Sequence, residues 1–105
     1  MDYAIVWSGE ALDDIDALAQ YIARDSLYYA QQVVSEIMAA GDTLVGQPTR
    51  GRVVPELSEP SIRELFIYSY RLIYEILDAK HEVHILAVLH GKRLLSSVDL
   101  FQDPN

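Results

Sequence analysis

Two apolar runs in the second half of the chain, Tyr70–Leu77 and Glu82–His90, are separated only by the polar stretch from Asp78 to His81. Runs of this length, rich in Ile, Leu, Val and Tyr and joined by a short polar turn, form a β-hairpin. Successive side chains alternate across a strand. Along the first run Tyr70, Leu72, Tyr74 and Ile76 share one face, and Arg71, Ile73, Glu75 and Leu77 the other. Along the second, Val83, Ile85, Ala87 and Leu89 oppose His84, Leu86, Val88 and His90. Both faces of both runs are largely apolar, which places them inside a sheet rather than at a wet edge. Everything before Pro48 is then expected to pack against them.

Ile62 to Tyr68 reads as a strand ahead of this pair, which makes a three-stranded antiparallel meander. Near the chain's start, Tyr3 to Trp7 is a short apolar run of strand formers. Ser8 then offers an N-cap, and the acids behind it suit a helix start. From Glu10 to Arg24, Leu12, Ile15, Leu18, Ala19 and Ile22 recur at helical spacing as one apolar stripe. Asp13, Asp16 and Gln20 lie opposite. Asp13, Asp14 and Asp16 point in different directions, which favours a solvated face over a metal or acid–base pair. Asp25 or Ser26 caps a second helix to about Leu44, with Leu27, Ala30, Val33, Val34, Ile37, Met38, Gly41 and Leu44 on its apolar side. The short break makes an antiparallel αα-hairpin, closed by Gly46, Gln47 and Pro48. Tyr28 and Tyr29 read as packing groups. Residues 48–60 are turn-rich but too short for an interdomain linker. The expectation is one α+β domain over residues 1–105: an N-terminal strand, an αα-hairpin, then the three-stranded antiparallel meander, with the first strand added to the sheet.

A chain of 105 residues, half of them apolar, can build one modest core. The absence of cysteine excludes a disulfide framework and thiolate chemistry, and it suits a reducing cytoplasm. No signal-peptide pattern is visible, and no apolar run approaches the roughly 18 residues of a membrane span. The net charge of −8 is unevenly spread. Residues 1–47 hold eight acids and one base, Arg24, for −7, whereas residues 48–105 hold eight acids and seven bases, for −1. Proteins that neutralise phosphates carry net positive domains. General or sequence-specific DNA binding is therefore not expected, while a local basic cleft is compatible with the acidic body. Arg52, Arg63, Arg71, Lys92 and Arg93 define the expected working surface, a docking place for another protein on one side of the sheet. The alternative use of these arginines is ion pairing across strands, with Glu64 or Glu75 as partners, at roughly 0.2–1 kcal/mol each.

Taken in order, the first strand, the αα-hairpin, GRVVPEL (51–57), IREL (62–65), YRLIYEI (70–76) and VLHGKR (88–93) resemble the ParE/RelE toxin superfamily. The resemblance runs from about Tyr3 to Leu95, and its specificity lies in the ordered set. GRVVPEL and VLHGKR are similar to the ParE side, whose members are often labelled plasmid stabilisation proteins. The resemblance implies the toxin half of a bacterial type II toxin–antitoxin module, acting in the cytoplasm. ParE-like members block DNA gyrase; RelE-like members cut messenger RNA on the ribosome. Both are silenced by a cognate antitoxin, and a heterotetramer with it is among the implied assemblies.

Metal-free RNA cleavage needs a base for the 2′-hydroxyl, cations for the phosphorane and an acid for the leaving oxygen. By resemblance, Arg71 occupies the family's third-strand arginine position and Arg93 the position after the fourth strand. Such a pair can clamp a phosphate. His90 would serve as acid or base, a role open to an imidazole, although a packing role outweighs this. The tyrosine or histidine of RelE-like nucleases falls here on Asp99, and their lysines before the third strand have no match, since the only lysines are Lys80 and Lys92. His81, His84 and His90 lack zinc-site spacing, so neither metal nor cofactor is expected. An acidic body is repelled by ribosomal RNA but not by a protein target. A gyrase-directed, non-enzymatic toxin is thus favoured over a ribosome-dependent nuclease using Arg71, Arg93 and His90, and over a non-toxic antitoxin-binding relative.

Overall fold

The computed structural model describes residues 2–93. Its elements are β1 (Ala4–Trp7), α1 (Gly9–Ala23), α2 (Leu27–Asp42), β2 (Arg52–Val53), β3 (Ile62–Ile67), β4 (Tyr70–Leu77) and β5 (Glu82–His90). The class is α+β, with β3, β4 and β5 forming the expected antiparallel meander. The sheet is larger than that meander: five strands in the order β1-β5-β4-β3-β2. β1 joins it in parallel, with Ala4 opposite Glu82 and Trp7 opposite Ile85. β2, inside the stretch read as turn, pairs antiparallel with β3 through Arg52–Glu64 and Val53–Arg63. Two residues are too few to show an alternating pattern, so this strand carries no signal of its own.

Ser8 begins α1 in the expected way and also ties it to the sheet. Its Oγ accepts the Ala11 N–H at 3.0 Å and donates to the Leu86 carbonyl at 3.2 Å. Of the two candidate caps for α2, Ser26 takes the role by accepting the Tyr29 N–H at 3.1 Å. α2 ends at Asp42, and Leu44 reaches the core from a single 3-10 turn at Thr43–Val45. Ala11, Ile15, Val33 and Ile37 of the helices meet Ile67, Leu72, Tyr74, Ile76, Val83, Ile85 and Val88 of the sheet. Each large aliphatic side chain so buried contributes about 1.5–3 kcal/mol. Leu12 and Leu27, assigned to the apolar stripes, are exposed instead, and so are Tyr28 and Tyr29.

The opposite face of the sheet holds a second, smaller core of Val54, Ile62, Ile73, Ala87 and Leu89, with Leu57 and Leu86 against it. The cover on this side is the irregular segment 54–60. A register shift divides the two cores. Ile73 pairs with Ala87 but Tyr74 pairs with Ile85, leaving Leu86 as an extra residue on β5. One inserted residue reverses the face taken by everything beyond it. Val83 and Ile85 therefore join the helix-side core, and Ala87 and Leu89 the other. This corrects the reading that all four share a face.

β1 is too short to cover the whole of β5, and α1 closes the remainder. The Asp14 carboxylate accepts the Val88 N–H at 2.9 Å, so Asp14 is an anchor and not merely part of a solvated face. Burial pushes its pKa up, opposed by that hydrogen bond. Gly41 of α2 lies against the Trp7 ring, where an added Cβ would clash.

Candidate functional site

The arginines of the strand half do not form one free patch. Cross-strand partners share a face, so Glu64 and Arg52 point the same way as Ile73, and Arg71 the same way as Phe66 and Leu89. Glu64 and Arg71 are thus diagonal neighbours on the face covered by segment 54–60. Glu64 is 1% exposed. Its Oε1 accepts from Arg71 Nε at 2.7 Å and its Oε2 from Arg52 Nε at 2.5 Å. Glu56, carried by the covering segment, grips Arg71 in bidentate fashion, at 2.7 Å to Nη1 and 2.9 Å to Nη2. Nη1 also donates to the Arg93 carbonyl at 3.0 Å, and Nη2 lies 2.6 Å from Glu64.

Every nitrogen of Arg71 is therefore occupied, and the residue is only 3% exposed. The Glu56 carboxylate, with Glu64 behind it, holds the guanidinium pKa above its ordinary value against the opposing effect of burial. Arg71 was expected on the docking surface; it is an internal strut that ties β4, β3, segment 54–60 and the end of β5 together. The reason is that a buried guanidinium is tolerated only when paired and hydrogen-bonded.

Of the other expected cations, Arg52 keeps a side chain 61% exposed and lies over the Phe66 ring, 5.1 Å from its centroid. Arg63 pairs with Tyr74 and so faces the helix side. There it donates to the Pro60 carbonyl at 3.1 Å and the Gly51 carbonyl at 3.0 Å. Lys92 and Arg93 are exposed beyond β5. Arg52, Arg71 and the Arg93 backbone are thus brought together, while Arg63 is on the other face.

The histidines are equally scattered. His90 pairs with Tyr70 and meets its ring edge-on at 6.0 Å, on the face opposite Arg71. His84 Nε2 is 2.9 Å from Glu82, and His81 stacks on Tyr3 at 4.5 Å. No group of three or more metal-ligating side chains occurs among the described residues. Asp99 and the tail after Leu95 lie outside the described residues.

Tyr74 organises this region without having been singled out for it. Its buried hydroxyl donates to the Pro48 carbonyl at 2.7 Å and accepts the Gly51 N–H at 2.8 Å. Burial pushes the phenol pKa up. A Cβ at Gly51 would lie 2.5 Å from the Glu64 carbonyl oxygen and 2.7 Å from that hydroxyl, so only glycine fits. The one sequence sign of this was a glycine directly before Arg52.

The chain thus lays an αα-hairpin across one face of a five-stranded sheet whose later strands carry arginines, and its class is that of the small toxins of the ParE/RelE superfamily. Residues 5–95 match the family described as the ParE toxin of the type II toxin–antitoxin system parDE, and the chain belongs to that family. Toxin RelE2 of Caulobacter vibrioides is 34% identical over 91 residues, covering 86% of this chain and 97% of the relative. The fold is shared with the chromosomal ParDE system of P. aeruginosa, at a TM-score of 0.69 and 19% identity over 86% of this chain and 97% of that one. A mutant E. coli toxin RelE in the free state gives 0.65 and 19% over 88% and 86%. The RelBE2 toxin–antitoxin complex of Mycobacterium tuberculosis gives 0.62 and 22% over 86% and 99%. Among the described residues no helix is long and apolar enough to cross a membrane.

Proposed function

We propose that this toxin inhibits DNA gyrase by binding it, performs no chemistry of its own, and is held silent by a cognate antitoxin. The observation that carries the reading is the state of Arg71. A phosphate clamp needs a guanidinium with donors to offer, and those of Arg71 are taken by Glu56, Glu64 and the Arg93 carbonyl. His90, the remaining candidate acid or base, projects from the other face of the sheet. The net charge of −8 adds long-range repulsion from ribosomal RNA and none from a protein target. The partner-binding cations of this reading are Arg52, Lys92 and Arg93, with Arg63 on the opposite face.

Two assays test it together. Conversion of relaxed to supercoiled plasmid by purified gyrase is expected to stop when the toxin is added, and adding the antitoxin is expected to restore it. Primer extension on translated messages is expected to show no new 5′ ends. Undisturbed supercoiling with fresh mRNA ends would reverse the assignment.

A further inference from the structure

Arg63 differs from the other arginines on the strands. Arg52 and Arg71 are paired with carboxylates, whereas no carboxylate among the described residues pairs with Arg63. Half-buried on the helix side of the sheet, it is held by the neutral Pro60 and Gly51 carbonyls through Nε and Nη1. Those carbonyls fix the plane of the guanidinium but leave its charge without a counter-charge. Its Nη2 makes no hydrogen bond among the described residues.

This guanidinium lines a cavity of about 350 Å³ at the end of the sheet where β4 passes into the Asp78–Lys80 turn. That volume lies in the range of small-molecule sites. Pro48, Pro60 and Ile76 give it an apolar wall. Glu59 and Asp78 give it two carboxylates. The Tyr3 hydroxyl donates to Asp78 at 2.5 Å and the Ser61 hydroxyl to Glu59 at 3.5 Å, and each carboxylate keeps further acceptor capacity. One uncompensated cation therefore shares a cavity with two acids and an aliphatic surface.

We propose that this cavity binds a small aliphatic α-amino acid as its zwitterion, with the carboxylate on Arg63, the ammonium toward Glu59 and Asp78, and the side chain against the apolar wall. The two Nη atoms of a guanidinium receive a carboxylate in parallel, and the carbonyls already hold Arg63 in one plane. A purely anionic ligand would meet both acids and a body of net charge −8. A purely cationic one would meet Arg63 and leave it uncompensated. A zwitterion answers both signs at once. Bound there, it ties the residue ahead of β1 to the segments at 48–49 and 59–61, so occupancy stabilises the fold by mass action. The site goes beyond the gyrase reading and does not depend on it.

The test titrates the isotope-labelled protein with leucine, with isocaproate, which lacks its ammonium, and with isoamylamine, which lacks its carboxylate. Leucine is expected to shift the Thr49 and Ser61 amide resonances, saturating in the millimolar range and binding about tenfold or more tighter than either half-ligand. Glu59 and Asp78 are exposed, so the double variant Glu59→Gln, Asp78→Asn is expected to keep its circular dichroism. In that variant leucine and isocaproate are expected to bind equally. Amides unmoved by leucine would overturn the proposal. So would isocaproate or isoamylamine matching leucine in the wild type, because the site would then read a single charge. A leucine preference that survives the double variant would overturn it as well. Gyrase inhibition is read separately, so either result can fail without the other.

Discussion

Arg71→Ala is the sharpest perturbation the structure offers. It removes the partner of two carboxylates at once and leaves Glu64, 1% exposed, with Arg52 as its remaining cation. Removing one member of a buried, hydrogen-bonded ion network costs about 3–5 kcal/mol, because the charge left behind has lost both water and partner. That is a large share of the roughly 5–15 kcal/mol by which domains are stable. At about 4 °C per kcal/mol for a chain of this size, the melting temperature should fall by roughly 12–20 °C. Urea unfolding followed by circular dichroism measures the loss directly. Arg71→Met combined with Glu56→Gln and Glu64→Gln should recover most of it, since no buried charge is then left unpaired and Arg52, which loses Glu64, is exposed to water. Growth inhibition per folded molecule should be unchanged, whereas a catalytic arginine would show lost toxicity at unchanged stability. A loss below about 1 kcal/mol, the range of surface ion pairs, would refute the strut.

Tyr74→Phe leaves the Pro48 carbonyl and Gly51 N–H without their buried partner and should cost about 1–3 kcal/mol in equilibrium unfolding. Gly51→Ala forces a Cβ against a backbone oxygen and a buried hydroxyl, and should cost about 1–3 kcal/mol or more by the same measurement. Asp14 has its pKa raised by burial, so its ionised form is disfavoured in the folded chain. That penalty is fully present above the folded pKa and is relieved as pH falls through it. Asp14→Asn keeps an acceptor for the Val88 N–H without the charge. The wild type should therefore gain stability relative to Asp14→Asn on acidification, read from denaturation midpoints at neutral and acid pH.

The elements that repeat a periodic pattern were legible. Fifteen residues of α1 and eight of β4 give the helix stripe and the alternation enough turns to stand out. β2 was not legible, because two residues contain no period. The shift at Leu86 was invisible for a related reason: β5 is apolar on both faces, so an inserted residue leaves no mark on the pattern. For the site, the basic residues could be counted but their company could not. Glu56 reaches Arg71 from a segment with no regular structure, across 15 positions of chain. Glu64 was recognised as a possible partner because strand neighbours are local information; the Glu56 clamp and the Tyr74–Gly51–Pro48 contacts depend on how an irregular segment folds back.

The parallel pairing of β1 with β5 has a consequence for how the toxin comes into being. Residues 4–7 wait for residues 82–85, so any ribosome-bound chain lacking β5 has an interior strand of the sheet missing and β1 without its partner. Long-range pairings of this kind form late, after their loop-closure cost has been met. Synthesis therefore completes the sheet late, once residues 82–85 reach residues 4–7, so the finished toxin follows its own translation rather than keeping pace with it.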